Sequence, residues 1–269
     1  MTSILVITIL AVLSYTSCSL LLLIRLRKAT QSQTQPSERL LGIGFVGMLF
    51  HGWLVYQNLW VEDGLNVGFF SIFSLVGWLV ALLLVLVTFR QKVESLGIIV
   101  FPFSALSVAL QYFSPSHQNI VQLSSGIQAH ILVSILAYSL LSIAAVQAIL
   151  LYIQERHLHN KQPGGFIRAL PALDTMENLL FRIIALGFIV LSISLISGVF
   201  YLDDMFAQHL VHKTILSVIA WFIFAILLWG RWQFGWRGRT AIRWTISGFI
   251  FLMLAYFGSK FVIELILQR

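Results

Sequence analysis

The side chains in this sequence whose types suit chemistry are few, and most are histidines. Seven imidazoles stand beside a single cysteine, Cys18. One cysteine excludes a disulfide framework and any cysteine-ligated zinc or iron–sulfur centre. His51 lies in "MLFHGWLVY", His130 in "GIQAHILVSILAY", and His209 and His212 in "AQHLVHKT". An imidazole inside an apolar run is costly unless it turns inward to a partner, so His51 and His130 are candidate ligands. The blander reading is a neutral ring hydrogen-bonded to a helix neighbour. His209 and His212, three apart, share a helix face if the helix begins early. Beside Asp203 and Asp204 they suggest an outer-face metal site, against the alternative of a polar helix cap. His157 and His159 beside Arg156, and His117 between Pro115 and Asn119, read as solvated. No G-x-x-x-x-G-K-[ST] loop, no H-E-x-x-H and no paired carboxylates inside an apolar run occur, so nothing points to ATP coupling, a zinc protease or a proton relay.

The elements that must position these rings follow from composition. Of 269 residues, 59% are hydrophobic and 10% charged, where a soluble domain carries about 25% charged residues. That excludes soluble, disordered and fibrous classes and leaves a polytopic membrane protein. Crossing hydrocarbon takes about 20 helical residues, and eight stretches qualify: 3–24, 40–60, 67–89, 95–114, 127–153, 179–202, 214–230 and 241–266. Runs such as "ALLLVLVTF" lack the alternation of barrel strands. The expected fold is all-α, a membrane bundle of eight transmembrane helices. It forms one integral domain over 1–269, with polar cytoplasmic linkers at 29–38 and 154–178. Gly42, Gly44 and Gly47 read as a close-packing surface.

Basic residues fall on every second connection. Arg25, Arg27, Lys28 and Arg39 follow the first span, Arg90 and Lys92 the third, Arg156, Lys161 and Arg168 the fifth, and Arg231, Arg237, Arg239 and Arg243 the seventh. The intervening connections are acidic or uncharged. By the positive-inside rule the basic connections are cytoplasmic and both termini lie outside. The net charge of +7 then reports topology and lipid headgroups rather than nucleic acid.

A small group suited to a few imidazoles in an apolar bundle rich in Phe and Trp is haem. Zinc asks for more converging ligands, whereas haem is an apolar disc that needs one or two axial nitrogens. Lys213 and the hydroxyls of Ser71 and Ser74 are candidate partners for its propionates if their spans adjoin. The competing class is an accessory or permease subunit for metal-cation transport, using His209, His212, Asp203, Asp204 and His51. Conducting proteins usually carry more intramembrane carboxylate than Glu264 alone.

Several strings in the C-terminal half carry a resemblance: "HILVSILAYSLLSIAAVQAILLYIQE", "LLWGRWQFGWRGR" and "AYFG", with "NVGFFSIFSLVGW" in the third span. The chain resembles the cytochrome c assembly protein family, the CcsA- and CcmC-like haem-handling membrane proteins, and in particular the YpjD-like branch. The resemblance implies a multi-pass protein of the bacterial inner membrane, not an enzyme, that binds b-type haem non-covalently in the outer half of the bundle and presents or moves it for cytochrome c biogenesis. It implies His130 as an external haem-iron ligand and His51 as a membrane-embedded one, with His212 a further candidate. Other cytochrome assembly or membrane transport proteins are the implied partners. Two departures stand out. "YLDDMFAQHLVHKT" holds no tryptophan where the family has its tryptophan-rich WWD segment. "SKFVIELILQR" holds no histidine after "AYFG", where CcsA-type proteins have their second external one.

Overall fold

The computed structural model describes residues 2–28, 37–61, 64–88, 94–113, 120–121, 123–160, 170–201, 208–258 and 260–261. Its helices are α1 (Thr2–Lys28), α2 (Ser37–Leu59), α3 (Phe69–Thr88), α4 (Gly97–Phe113), α5 (Ser125–His159), α6 (Leu173–Tyr201), α7 (Gln208–Phe234) and α8 (Gly238–Met253). A 3₁₀ turn, Glu94–Leu96, leads into α4, and a π-helical turn, Leu254–Gly258, continues α8. Among the described residues, eight helices are long and apolar enough to cross a membrane, as the hydrophobic runs require. The all-α membrane architecture expected from composition is the one found.

The differences from expectation are at the edges. α5 runs on to His159 and α6 begins at Leu173, so the polar connection 154–178 is helical at both ends. Among the described residues three short strands also form: β1 (Trp60–Val61), β2 (Gly64–Asn66) and β3 (Ile120–Val121). β1 and β2 pair antiparallel, Trp60 opposite Leu65, and Gly64 takes the positive φ of 143° that the tight reversal demands. Strands of two or three residues leave no periodicity to read.

Contacts divide the chain into two compact units, residues 1–120 with 153–175, and residues 121–152 with 176–269. In the first, α1 packs on α2 and α4, and α3 packs on α2 and α4. Glycines set the approach. A Cβ on Gly44 would sit 2.6 Å from the Phe101 ring, and one on Gly47 3.1 Å from Tyr15, whereas Gly42 faces open space. Two of the three glycines therefore serve close packing. Pro102 lies inside α4 and cannot donate to the carbonyl of Ile98. Ser19 of α1 donates its hydroxyl to that carbonyl at 3.0 Å, so a side chain fills the gap in the ladder. Arg25 and Glu94 close one end of this unit at 2.6 Å.

In the second unit α5 and α6 run antiparallel. Gly126 lies against Tyr201, and Leu141 lies against Gly187. Further along, Gln147 donates to the Met176 carbonyl at 2.9 Å. Trp221 of α7 donates to Ser192 of α6 at 2.8 Å. Tyr138 of α5 donates to the Leu252 carbonyl of α8 at 2.6 Å, next to the π-helical turn that contains "AYFG". α6 turns an apolar stripe outward: Leu186, Ile189, Ile193 and Ile196 are each at least half exposed. A stripe of that kind suits lipid and not water.

The "GWRGR" string is the joint between α7 and α8. Gly235 and Gly238 have positive φ, and Gly230 leaves room for the Trp236 ring. The carboxylate of Glu177, only 1% exposed, accepts from Arg237 Nε at 2.7 Å and from the Gly238 backbone N–H. It thus neutralises a guanidinium and caps the positive end of α8. Removing one partner of a buried, charge-assisted set leaves the others unsatisfied. We expect Glu177→Ala to destabilise the protein by about 1–3 kcal/mol, measured as earlier thermal unfolding in detergent. Unfolding unchanged from the parent would contradict this account of the joint.

Candidate functional site

His51 is positioned by the same glycine face that brings α1 close. Gly44, Gly47 and His51 are three and four residues apart, so they lie along one side of α2. The ring is fully buried. Its Nε2 lies 2.9 Å from Ser74 Oγ of α3, and its Nδ1 lies 3.3 Å from the Tyr15 hydroxyl of α1. Tyr15 meets the imidazole edge-on, with ring centres 5.8 Å apart, and stacks on Phe101 of α4 at 5.7 Å. One residue on, Gly52 leaves space for Trp78, which donates to the Met48 carbonyl at 3.0 Å. Side chains of α1 and α3 thus meet His51, with Phe101 of α4 behind Tyr15, and both ring nitrogens have hydroxyl partners.

Of the residues singled out in sequence, Ser74 reaches His51 but Ser71 does not. Ser71 donates to Asn58 Oδ1 at 2.7 Å, and Asn66 donates to the same oxygen at 3.2 Å. Ser71 therefore belongs to the polar network that holds the β1–β2 hairpin to α2. Tyr15 was not singled out. A tyrosine in a run of leucines carries no local mark of the histidine it meets 36 residues later.

His130 occupies a different kind of environment in the second unit. It lies five residues into α5, about 7.5 Å along the axis, and is half-buried. Its Nδ1 is 2.9 Å from Ser197 Oγ of α6. Ser134, one turn along α5, donates to the His130 carbonyl at 2.6 Å and lies 2.7 Å from Ser194 Oγ. The Ser194 backbone carbonyl also faces the ring, so α6 meets the imidazole with a hydroxyl and a carbonyl one turn apart. The sequence carried a faint signal here: Ser194 and Ser197 are one turn apart in "SISLISG", a polar stripe on an otherwise apolar helix.

His212 is exposed near the start of α7. Lys213 places its Nζ 5.7 Å from the centre of the Tyr256 ring, and Lys260 approaches the same ring at 5.8 Å. Tyr256 in turn meets Tyr138 edge-on at 6.0 Å. Asp203, Asp204, His117, Glu264 and the side chain of His209 lie outside the described residues. Among the described residues no three of His, Cys, Asp or Glu converge on a metal position. His157 and His159 are exposed, as expected, and His157 Nδ1 donates to the Ile153 carbonyl at 2.8 Å.

Comparison with known proteins follows the same lines as the sequence strings. Residues 42–267 match the family described as Cytochrome C assembly protein. The chain is 33% identical over 206 residues to the inner membrane protein YpjD of Escherichia coli (strain K12), covering 76% of this chain and 78% of that protein. It is 30% identical over 103 residues to the cytochrome c biogenesis protein CcsA of Gloeobacter violaceus, covering 38% of this chain and 30% of that one. It is 20% identical over 224 residues to protein HemX of Brevibacillus brevis, covering 79% and 82% respectively. No solved structure matches.

The two rings differ in what their loss leaves behind. His51→Ala strands the Tyr15 and Ser74 hydroxyls in a buried interior, at about 1–3 kcal/mol for each unsatisfied group. His130→Ala removes a half-buried ring whose partner, Ser197, keeps its own bond to the Ser194 carbonyl. Haem-free His51→Ala protein should therefore unfold at a clearly lower temperature than haem-free His130→Ala protein in the same detergent. Equal melting of the two would refute the structural weight given to His51.

Proposed function

Because the chain belongs to the cytochrome c assembly protein family, we propose that it is a multi-pass inner-membrane protein that binds haem non-covalently through Nε2 of His130 and presents or moves it for cytochrome c maturation. The observation that supports this most is the placement of the His130 ring: its Nδ1 is held by Ser197, at a half-buried position near a helix end. That is the donor chemistry an axial ligand needs. His51 as packed offers no such nitrogen, since Ser74 and Tyr15 engage both of its own. Ligation by His51 would require one of those hydrogen bonds to break. Haem, when bound, supplies an iron centre that accepts one or two axial nitrogens from an apolar, disc-shaped group.

The chain's own contribution is binding and orientation. His130 supplies the ligand, and α6 fixes its ring. Lys213 stands at the Tyr256–Tyr138 cluster as a cation suited to a propionate. No covalent chemistry by the protein is called for, so the proposed role is not enzymatic. The name of the E. coli relative is in keeping with an inner-membrane location. The alternation of basic connections supports an orientation with both termini outside and the α7–α8 joint in the cytoplasm.

Two measurements test this. Haem titrated into purified protein should give a Soret band that the parent and His51→Ala proteins develop and His130→Ala loses, with affinity down at least tenfold, the lower end for loss of a metal's supporting set. A Soret band unchanged in His130→Ala overturns the ligation. For orientation, a reporter active only outside the cytoplasmic membrane should be active when fused at either terminus and silent when inserted after Phe234. The reverse pattern overturns the orientation.

A further inference from the structure

The hydroxyl groups around His130 fix more than its position. Each serine has one hydrogen to donate. Ser197 donates its hydrogen to the Ser194 carbonyl at 2.8 Å, and a carbonyl can only accept. Ser197 Oγ is then left as an acceptor toward the ring, so the hydrogen in the 2.9 Å contact must come from His130 Nδ1. The neighbouring pair is ordered in the same way. Ser134 spends its hydrogen on the His130 carbonyl at 2.6 Å, so Ser194 must donate to Ser134 across 2.7 Å. The Ser194 carbonyl, which also faces the ring, can likewise only accept, so it too calls for a hydrogen on the imidazole side.

We propose that Ser197 is a positioning residue that holds His130 as its Nδ1–H tautomer and so presents Nε2 as a lone pair for iron. This rests on the reading of His130 as the haem ligand. A neutral imidazole exchanges between two tautomers, and only one of them has a lone pair on Nε2. An acceptor oxygen on Nδ1–H selects that tautomer, restrains the ring and raises the basicity of the coordinating nitrogen. A hydroxyl already committed to a backbone carbonyl is a one-way acceptor and cannot support the other tautomer without giving up its own bond. The geometry is built by two helices, with His130 and Ser134 one turn apart on α5 facing Ser197 and Ser194 one turn apart on α6.

The test uses the full chain, first without haem. In protein labelled with ¹⁵N-histidine, the His130 signals are identified by their loss in His130→Ala. The parent should show Nδ1 protonated and Nε2 unprotonated. Ser197→Ala should shift the ring to a mixture of tautomers, and Ser197→Thr should restore the parent pattern. Ser194→Ala removes a neighbouring hydroxyl but keeps the carbonyl that Ser197 bonds, so it should leave the tautomer unchanged and exclude a general packing effect. With haem added, Ser197→Ala should bind about tenfold more weakly than the parent. Its ferrous form should show a lower iron–histidine stretching frequency, and Ser197→Thr should recover both. A parent-like tautomer and parent-like affinity in Ser197→Ala overturn the inference. Haem retained by His130→Ala would instead overturn the ligation reading, and the haem-free tautomer measurement tells the two failures apart.

Discussion

A polar ring carried into hydrocarbon must find its hydrogen-bond partners within the protein, because the lipid offers none. The two histidine environments differ in how completely that requirement is met. At His51, hydroxyls from α1 and α3 satisfy both nitrogens, and the ring is fully buried. At His130, α6 alone supplies the partners, and the ring is only half-buried near a helix end. The same rule that makes an intramembrane histidine conspicuous in sequence also accounts for the different shells around the two rings.

Serine hydroxyls do most of this work, and their usual partner in these helices is local. Thr8, Thr88, Ser139, Ser142 and Thr245 each donate to the carbonyl four residues back, which satisfies the group without joining two helices. The hydroxyls that reach across are the informative ones. Ser19 completes the ladder broken by Pro102, Ser104 donates to the Gly77 carbonyl at 2.8 Å, Ser74 meets His51, and Ser197 meets His130. Each crossing requires closely packed backbones, and glycines at 44, 47 and 77 provide the approach in the first unit.

Much of the framework was legible. Long apolar runs leave little choice of architecture, and the spans, the Gly44–Gly47 packing face, the exposed His157 and His159 and the family resemblance all followed from residues on the page. The site was legible by its histidines and not by their partners. His130 and Ser197 are 67 residues apart, and Tyr15 and His51 are 36 apart. One sequence does not encode helix adjacency in any local pattern, so the pairing of Ser71 with Ser74 as propionate partners and the omission of Tyr15 have the same origin. Glu177 was missed for a related reason. A lone carboxylate beside a span reads as a solvated end, and its burial depends on the Arg237–Gly238 turn 60 residues away.

The strings that carried the resemblance most specifically contain no histidine beyond His130 itself, and the structure gives them mechanical roles. "GWRGR" ties the start of α8 to α6 through Glu177, and the turn containing "AYFG" ties its end to α5 through Tyr138. α8 therefore braces α5 and α6 at two places along their length. What this bracing protects is a register. One turn of a helix is about 5.4 Å, whereas the contact of His130 with Ser197 tolerates a few tenths of an ångström around 2.9 Å. Gly126 against Tyr201 and Gly187 against Leu141 set that register sterically, and a slip by a single turn would carry Ser197 past the ring altogether. The geometry of the histidine is thus a consequence of packing along the whole of α5 and α6.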